Sequence, residues 1–224
     1  MNTHPLQSLV TAIFTLYMLL SGTLAHAEGR GAAPWIGETF DGRQCTGPGT
    51  ENYGPFDFRI DKNKLPIVEN YHFTQDVEQL IRGVSVTHPI GDIRYTLTKI
   101  PNHHRALYSA VRFSISDPSA RLKRENPAEC FLQRAIRYAP DDAVPHMLFG
   151  LYLHRLGHPR DSLQHYLRAE ALTPNDVNLL YNMGLVYFDL GQYSEASRYA
   201  QQAYAAGVTF PGLKRKLQQA GHWD

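Results

Sequence analysis

The sequence predicts an all-α protein, a short solenoid of stacked helical hairpins, and three observations carry that expectation. Between Ala143 and Val208 the chain repeats at a spacing of 34 residues. Gly150 returns as Gly184 and Gly157 as Gly191, while Phe149 matches Met183, Ser162 matches Ala196 and Ala169 matches Ala203. A fixed period near 34 is the mark of hairpins that cannot bury their apolar face alone and therefore stack. The second observation is the placing of small residues. Gly150 and Gly184 fall inside the first helix of each unit, and Ala169, Ala196 and Ala203 inside the second. Two helices carrying such residues can approach closely. The third is punctuation. Leu156-Gly157 and Leu190-Gly191 close the first helices, because glycine takes the left-handed conformation past a helix end cheaply, and Thr173-Pro174 stops a second helix.

The first copy, counted from Ala143, has a small residue at 8, Gly at 15, a small residue at 20, Tyr166 at 24, Ala at 27 and Pro at 32. This pattern resembles the tetratricopeptide repeat family. The resemblance implies a right-handed superhelix of hairpins that acts by binding another protein, with no cofactor.

Length and composition fit that frame. The chain has 224 residues and a formal net charge of +1, enough for one domain or a short solenoid. Near-neutrality excludes binding driven by phosphate neutralisation, so no nucleic-acid partner is expected. Residues 1–27 read as a secretory signal: Leu9 to Leu20 is apolar, and Ala25-His26-Ala27 fits the small-x-small cleavage rule. No Lys or Arg precedes the apolar run, which leaves an uncleaved anchor as the alternative. The run is shorter than the roughly 20 residues a span needs, and no later segment is long enough to cross a membrane. The expected location is periplasmic or secreted. The chain has two cysteines, Cys45 and Cys130, and an exported protein with two usually joins them. Such a disulfide would close a long loop, worth about 4 kcal/mol on the chain-entropy model. Two distant cysteines without a CxxC are a poor metal signature.

In chain order, residues 28–73 carry repeated Gly and Pro, the chemistry of turns, but also Trp35, Phe40, Tyr53, Phe56, Phe58 and Phe73. A disordered linker lacks such aromatics. An ordered, irregular arm lying along the helices is expected. Residues 74–101 read as a degenerate hairpin with helices near 74–82, capped by Thr74 and stopped by Gly83, and near 91–99. In the second, Ile93, Tyr95 and Leu97 also alternate like a strand. The junction Pro101-Asn102 returns as Pro140-Asp141 and Pro174-Asn175, which favours the helical reading. Repeats then fill 102–208. Asn102 is the expected cap of a helix over 103–113, a polar loop with the basic run 121–124 follows, and Asn126-Pro127 opens the next helix as cap and first helical residue. Ala143–Leu156 with Pro159–Leu172, and Val177–Leu190 with Tyr193–Ala206, form the last two hairpins. Residues 209–224 read as a polar capping helix that hides the last apolar face.

The chain shows no catalytic constellation. GxSxG and HExxH are absent, and no Gly-rich phosphate loop opens a helix; the sequence predicts no enzyme. His103-His104 invites a metal reading with His72 as a third ligand, but neighbours on a helix point about 100° apart. His146, His154, His158 and His165 read as surface residues. The alternative to a scaffold is therefore a small-ligand or metal carrier using His72, His103 and tyrosines near the arm.

The expected site is a groove. In the family this chain resembles, positions 2, 5, 6, 9 and 12 of each first helix line it. Here they are Arg105, Tyr108, Ser109 and Arg112; then Val144, Met147, Leu151 and His154; then Asn178, Tyr181, Asn182, Leu185 and Phe188. Such a surface suits an extended peptide: Asn side chains hold backbone amides, and Arg105 meets a carboxylate bidentately. Asn182 stands where related peptide-clamping repeats keep an asparagine, but Val144 and Met147 replace the lysines. The competing expectation is that the arm itself fills the groove.

Overall fold

The computed structural model describes residues 32–51, 53–116 and 127–223. The expected signal segment, residues 28–31 of the arm, the basic run 121–124 and the Asn126 cap lie outside the described residues. Among the described residues there are ten helices and no strand beyond one isolated bridge, Glu38 to Gln44. We number them α1 (Leu65–His72), α2 (Gln75–Glu78), α3 (Pro89–Lys99), α4 (His104–Ser116), α5 (Ala128–Tyr138), α6 (Ala143–Arg155), α7 (Pro159–Leu172), α8 (Val177–Asp189), α9 (Tyr193–Ala205) and α10 (Gly212–Gln219).

The hairpins α6–α7 and α8–α9 follow the 34-residue pattern residue by residue. Asp142 and Asp176 cap the two first helices, accepting from Val144 N and Leu179 N. Gly157 and Gly191 take φ of +83° and +73°, which reverses the chain into the second helices. Gly150 faces the ring of Tyr166, and Ser162 Oγ donates to the Gly150 carbonyl at 2.7 Å. At the equivalent position, Gly184 faces Leu213 of α10. Thus α10 takes the place a further first helix would take, and its Leu213 and Leu217 are fully buried. Two apolar clusters share α6. One joins α3, α4 and α5 to Leu148, Phe149, Tyr152 and Leu153; the other joins Ala143 to α7, α8, α9 and α10. Each fully buried Leu, Ile or Phe in them is worth roughly 1.5–3 kcal/mol.

Upstream, the structure revises several expectations. Ile93 and Leu97 are fully buried while Tyr95 is 40% exposed. The apolar period is therefore four, and 89–99 is helix. The helix expected near 74–82 is one turn, ended by Leu80 at φ +66° rather than by Gly83. The arm is irregular only to Lys64. Pro66 sits in the first turn of α1, where its missing N–H costs nothing, and Leu65 and Val68 pack on Ile100. Asn102 does not cap α4. Its side chain donates to Asp57 and Asp142 and accepts from Phe58 N, so His103 Nδ1 takes over, accepting from Ala106 N. Pro127 is the N-cap of α5, one residue earlier in the helix frame than expected.

The arm is fastened along the end of α3, on α5 and at the turn after α6. Cys45 and Cys130 form the disulfide, with Cα atoms 5.4 Å apart. The fully buried Arg134 of α5 donates to Ala33 O, Leu97 O and Thr98 O, and Trp35 stacks on its guanidinium. Phe40 packs against Phe149, Tyr152 and His158.

A methyl at Gly150 would lie 2.7 Å from carbons of the buried Tyr166 ring. Alanine is the better helix former by about 1 kcal/mol, but here overpacking reverses the sign. We expect Gly150→Ala to lower the urea unfolding midpoint, with a net loss of about 1–3 kcal/mol. A raised midpoint would show slack between α6 and α7.

Candidate functional site

The first helices α4, α6 and α8 lie side by side, and the residues expected to line the groove divide into a cleft set, an open pair and a set engaged within the fold. Tyr108, Arg112 and Leu151 come together. They line a cleft of about 300 Å³ between α4 and α6, with Val111 and Ile115 in its floor and Arg155 on its far wall. Arg112 rests over the Tyr108 ring, 5.8 Å from its centroid. Every described residue of this lining comes from α4 or α6, and the described arm residues contribute none. Asn178 is exposed and Asn182 half-buried on α8.

The remaining residues are engaged within the fold. Arg105 forms a two-bonded ion pair with Glu78 of α2, and its Nε donates at 2.7 Å. The hydrogen bonds from Arg105 hold the Glu78 carboxyl below the usual carboxylate range. The carboxylate that Arg105 was expected to receive from a ligand is therefore supplied by the chain itself. Ser109 likewise donates to Glu78 O. His154 bonds Asp189 at 2.7 Å, which Lys216 of α10 also meets, so this histidine ties α6 to α8. Tyr181 Oη accepts from Leu213 N, and its ring meets Phe210 and Tyr204, so the chain after α9 covers it. Met147 and Leu185 pack against the second apolar cluster. Arg155 escaped the sequence reading because it falls beyond position 12, where a basic residue reads as ordinary C-terminal helix chemistry.

The histidines offered to a carrier are held in place by neighbours. His103 is fully buried, with Nδ1 accepting from Ala106 N and Nε2 therefore donating to Glu69 at 3.0 Å. Both ring nitrogens are committed. Burial pushes its pKa down despite the Glu69 carboxylate. His72 Nδ1 meets both Asp92 Oδ1 and Ser85 Oγ at 3.1 Å. A hydrolase relay needs base and acid on opposite ring nitrogens, so this is a polar staple and not a relay. Among the described residues no group of three or more His, Cys, Asp or Glu is placed to hold a metal.

The junction below the site is a polar network. His104 bonds Asp142 at 2.8 Å, and Arg59 of the arm bridges Asp57 and Asp141. Burial alone would raise the Asp142 carboxyl. The hydrogen bond and charge of His104 and the Asn102 amide outweigh it, and the group titrates below its ordinary value.

With this geometry in view, comparison places the chain. Residues 160–191, which hold nearly all of α7 and the whole of α8, match the TPR repeat family. Over that stretch the chain carries the tetratricopeptide repeat pattern. No curated protein matches the chain in sequence. Among solved structures it is similar to PilW, described as a widely conserved type IV pilus biogenesis factor, at 22% identity and a TM-score of 0.51 over 73% of this chain and 71% of that one. It is also similar to PilF of Pseudomonas aeruginosa, at 16% identity and a TM-score of 0.50 over 70% of this chain and 67% of that one. Both likenesses are of fold. No described helix is long and apolar enough to cross a membrane.

One pair of site neighbours titrates in an unexpected place. His146 is buried, not on the surface, and its Nδ1 lies 3.5 Å from Nδ1 of His165, whose ring stacks near Phe149. Burial lowers both pKa values; Arg168 adds to the effect on His146, and His165 is pushed down to about 4. The folded pair is neutral at pH 7. The unfolded chain takes up protons from about pH 6.5 downward, so stability from this pair is intact above 6.5 and is lost as pH falls toward 4. The thermal midpoint is expected to drop over that window and to drop less in His165→Phe. Equal slopes in the two proteins would show that the pair is not the source.

Proposed function

We propose that this chain is an exported scaffold that binds a partner protein through an extended segment laid along the α4–α6–α8 face, within an assembly of the cell envelope. The observation that carries the reading is the open cleft between α4 and α6. The disulfide, Arg134 and the Asn102 network fasten the arm elsewhere, so the apolar floor of Val111, Ile115 and Leu151 is left without a cover from the described arm. Asn178 and Asn182 continue the face along α8 with amides suited to a peptide backbone. Tetratricopeptide arrays supply a rigid surface of this kind, and the chemistry of catalysis is not needed for it.

Export is supported by the N-terminal sequence and by the disulfide, which persists in oxidising compartments. The likeness to a pilus biogenesis factor is a likeness of fold, and it is compatible with an envelope role.

Site-specific photocrosslinking in intact cells tests the reading. A photoreactive phenylalanine replaces Asn182 on the proposed face, or Gln201 on the exposed side of α9. The face position is expected to give a discrete heavier adduct from the envelope fraction, and the α9 position none. Adducts from Gln201 alone would move the binding surface to the second helices. Recovery of the chain only from the cytoplasm, without a Cys45–Cys130 linked peptide, would refute export.

A further inference from the structure

The α4–α6 cleft has a chemistry more specific than a generic peptide groove. Its floor is aliphatic, from Val111, Ile115 and Leu151, and its rim carries Tyr108 and two arginines, Arg112 on α4 and Arg155 on α6. Among the described residues no acidic side chain lines it. The neighbouring cations are spent within the fold: Arg105 on Glu78, Arg59 on Asp57 and Asp141, and Lys216 on Asp189. Among the described residues Arg155 makes no ion pair, and Arg112 has none within salt-bridge distance: it donates to the Glu78 carbonyl at 3.5 Å, lies over the Tyr108 ring and acts on the Glu78 carboxylate through its charge alone. The volume of about 300 Å³ is at the bottom of the range for small-molecule pockets, and fits a side chain better than a cofactor.

Resting on the scaffold reading above, we propose that this cleft recognises an acidic–aliphatic–acidic segment of the partner: one aliphatic side chain seated on the floor between two side-chain carboxylates that Arg112 and Arg155 bind. Charge complementarity fixes the sign of the ligand. Two cations on opposite walls ask for two carboxylates, whereas a chain terminus brings one. In an extended segment, side chains alternate in direction, so the residues that share a face with the aliphatic one lie two positions before and after it. The segment therefore reads acid–x–aliphatic–x–acid. Guanidinium–carboxylate pairs are planar and two-bonded, which gives this arrangement its specificity over glutamine or serine analogues.

The test uses the intact disulfide-bonded protein, labelled with ¹⁵N, and the capped peptide acetyl-Gly-Glu-Ser-Leu-Ser-Glu-Gly-amide, which has no free carboxyl terminus. Backbone amide shifts are followed on titration to millimolar peptide. The expected result is a set of saturable shifts at Tyr108, Arg112, Leu151 and Arg155, weakened by added salt. The analogue with both Glu replaced by Gln, the analogue with Leu replaced by Ser, and the protein Arg112→Gln/Arg155→Gln are each expected to raise the Kd by about tenfold or more. Absence of shifts at the cleft overturns the proposal, as does equal binding of the Gln analogue or of the double variant. Tighter binding by the uncapped peptide ending in Leu, with the capped form inert, would assign the arginines to a chain terminus and also overturn it. The scaffold reading fails separately. If the Asn182 crosslink persists in the Arg112→Gln/Arg155→Gln protein, the face is used and only the cleft chemistry is wrong. If no face position crosslinks, the scaffold reading itself falls.

Discussion

A single guanidinium holds this architecture to one arrangement. Arg134 is 1% exposed and has no carboxylate partner among the described residues, and burial pushes its pKa down to about 10. An isolated buried charge of this kind is costly unless its donors are satisfied. Here they are satisfied by carbonyls: Ala33 of the arm, and Leu97 and Thr98 at the end of α3, where the helix leaves its last acceptors free. The negative end of the α3 dipole faces the charge, which offsets part of the desolvation. The same side chain thereby fixes the arm, the upstream unit and the first full hairpin to one another. Trp35 covers it, and the disulfide at Cys130, one turn earlier on α5, keeps the arm from leaving. Removing Ala33 from its place would leave a buried charge short of an acceptor, so the arm is not free to migrate to the other side of the array.

That constraint has a functional consequence. Two destinations were open to an arm so rich in aromatics: the face of the first helices or the opposite side. Phe40 settles on Phe149, Tyr152 and His158, and Phe58 on His103 and His104. Neither contact reaches the cleft between α4 and α6. What does approach this face is α2, whose Glu78 consumes Arg105. At the other end α10 consumes Tyr181 and, through Lys216, shares Asp189 with His154. Among the described residues the array is thus closed at both ends by its own chain and left uncovered in the middle, where Tyr108, Arg112, Leu151 and Arg155 meet.

Much of this was legible in the sequence, for reasons that differ by region. From Ala143 onward, each feature is local or lies within one hairpin: Asp142 and Asp176 as caps, Gly150 against Tyr166, Gly157 at a helix end. Periodicity reports such features directly. The pairing of Cys45 with Cys130 was also legible, because the chain has only two cysteines. Upstream, the decisive contacts are long-range and polar. Asn102 has the chemistry of a cap but is drawn away by Asp57 and Asp142, 45 and 40 residues distant. Glu78 and Arg105, 27 residues apart, look like ordinary surface charges until α2 is laid on α4. The helix α1 was hidden by Pro66 and by the turn residues before it, although proline is tolerated in a first turn. Of the residues that line the cleft, Tyr108, Arg112 and Leu151 fall at the repeat positions expected to face a groove, and Arg155 lies outside those positions because its place there depends on the neighbouring helix.

The measurement that bears most directly on this account is amide hydrogen exchange on Arg134→Met beside the unaltered protein, both with the disulfide intact. If Arg134 pins the arm away from the α4–α6 cleft, protection falls around Trp35, at the last turn of α3 and in α5, while α8 to α10 and the cleft residues of α4 and α6 keep their rates. Unchanged protection in the arm would show that Arg134 does not hold it. Loss of protection at Tyr108 to Ser116 and around Leu151, with the arm unaffected, would show that the cleft is stabilised by contacts other than those described, and would contradict the account.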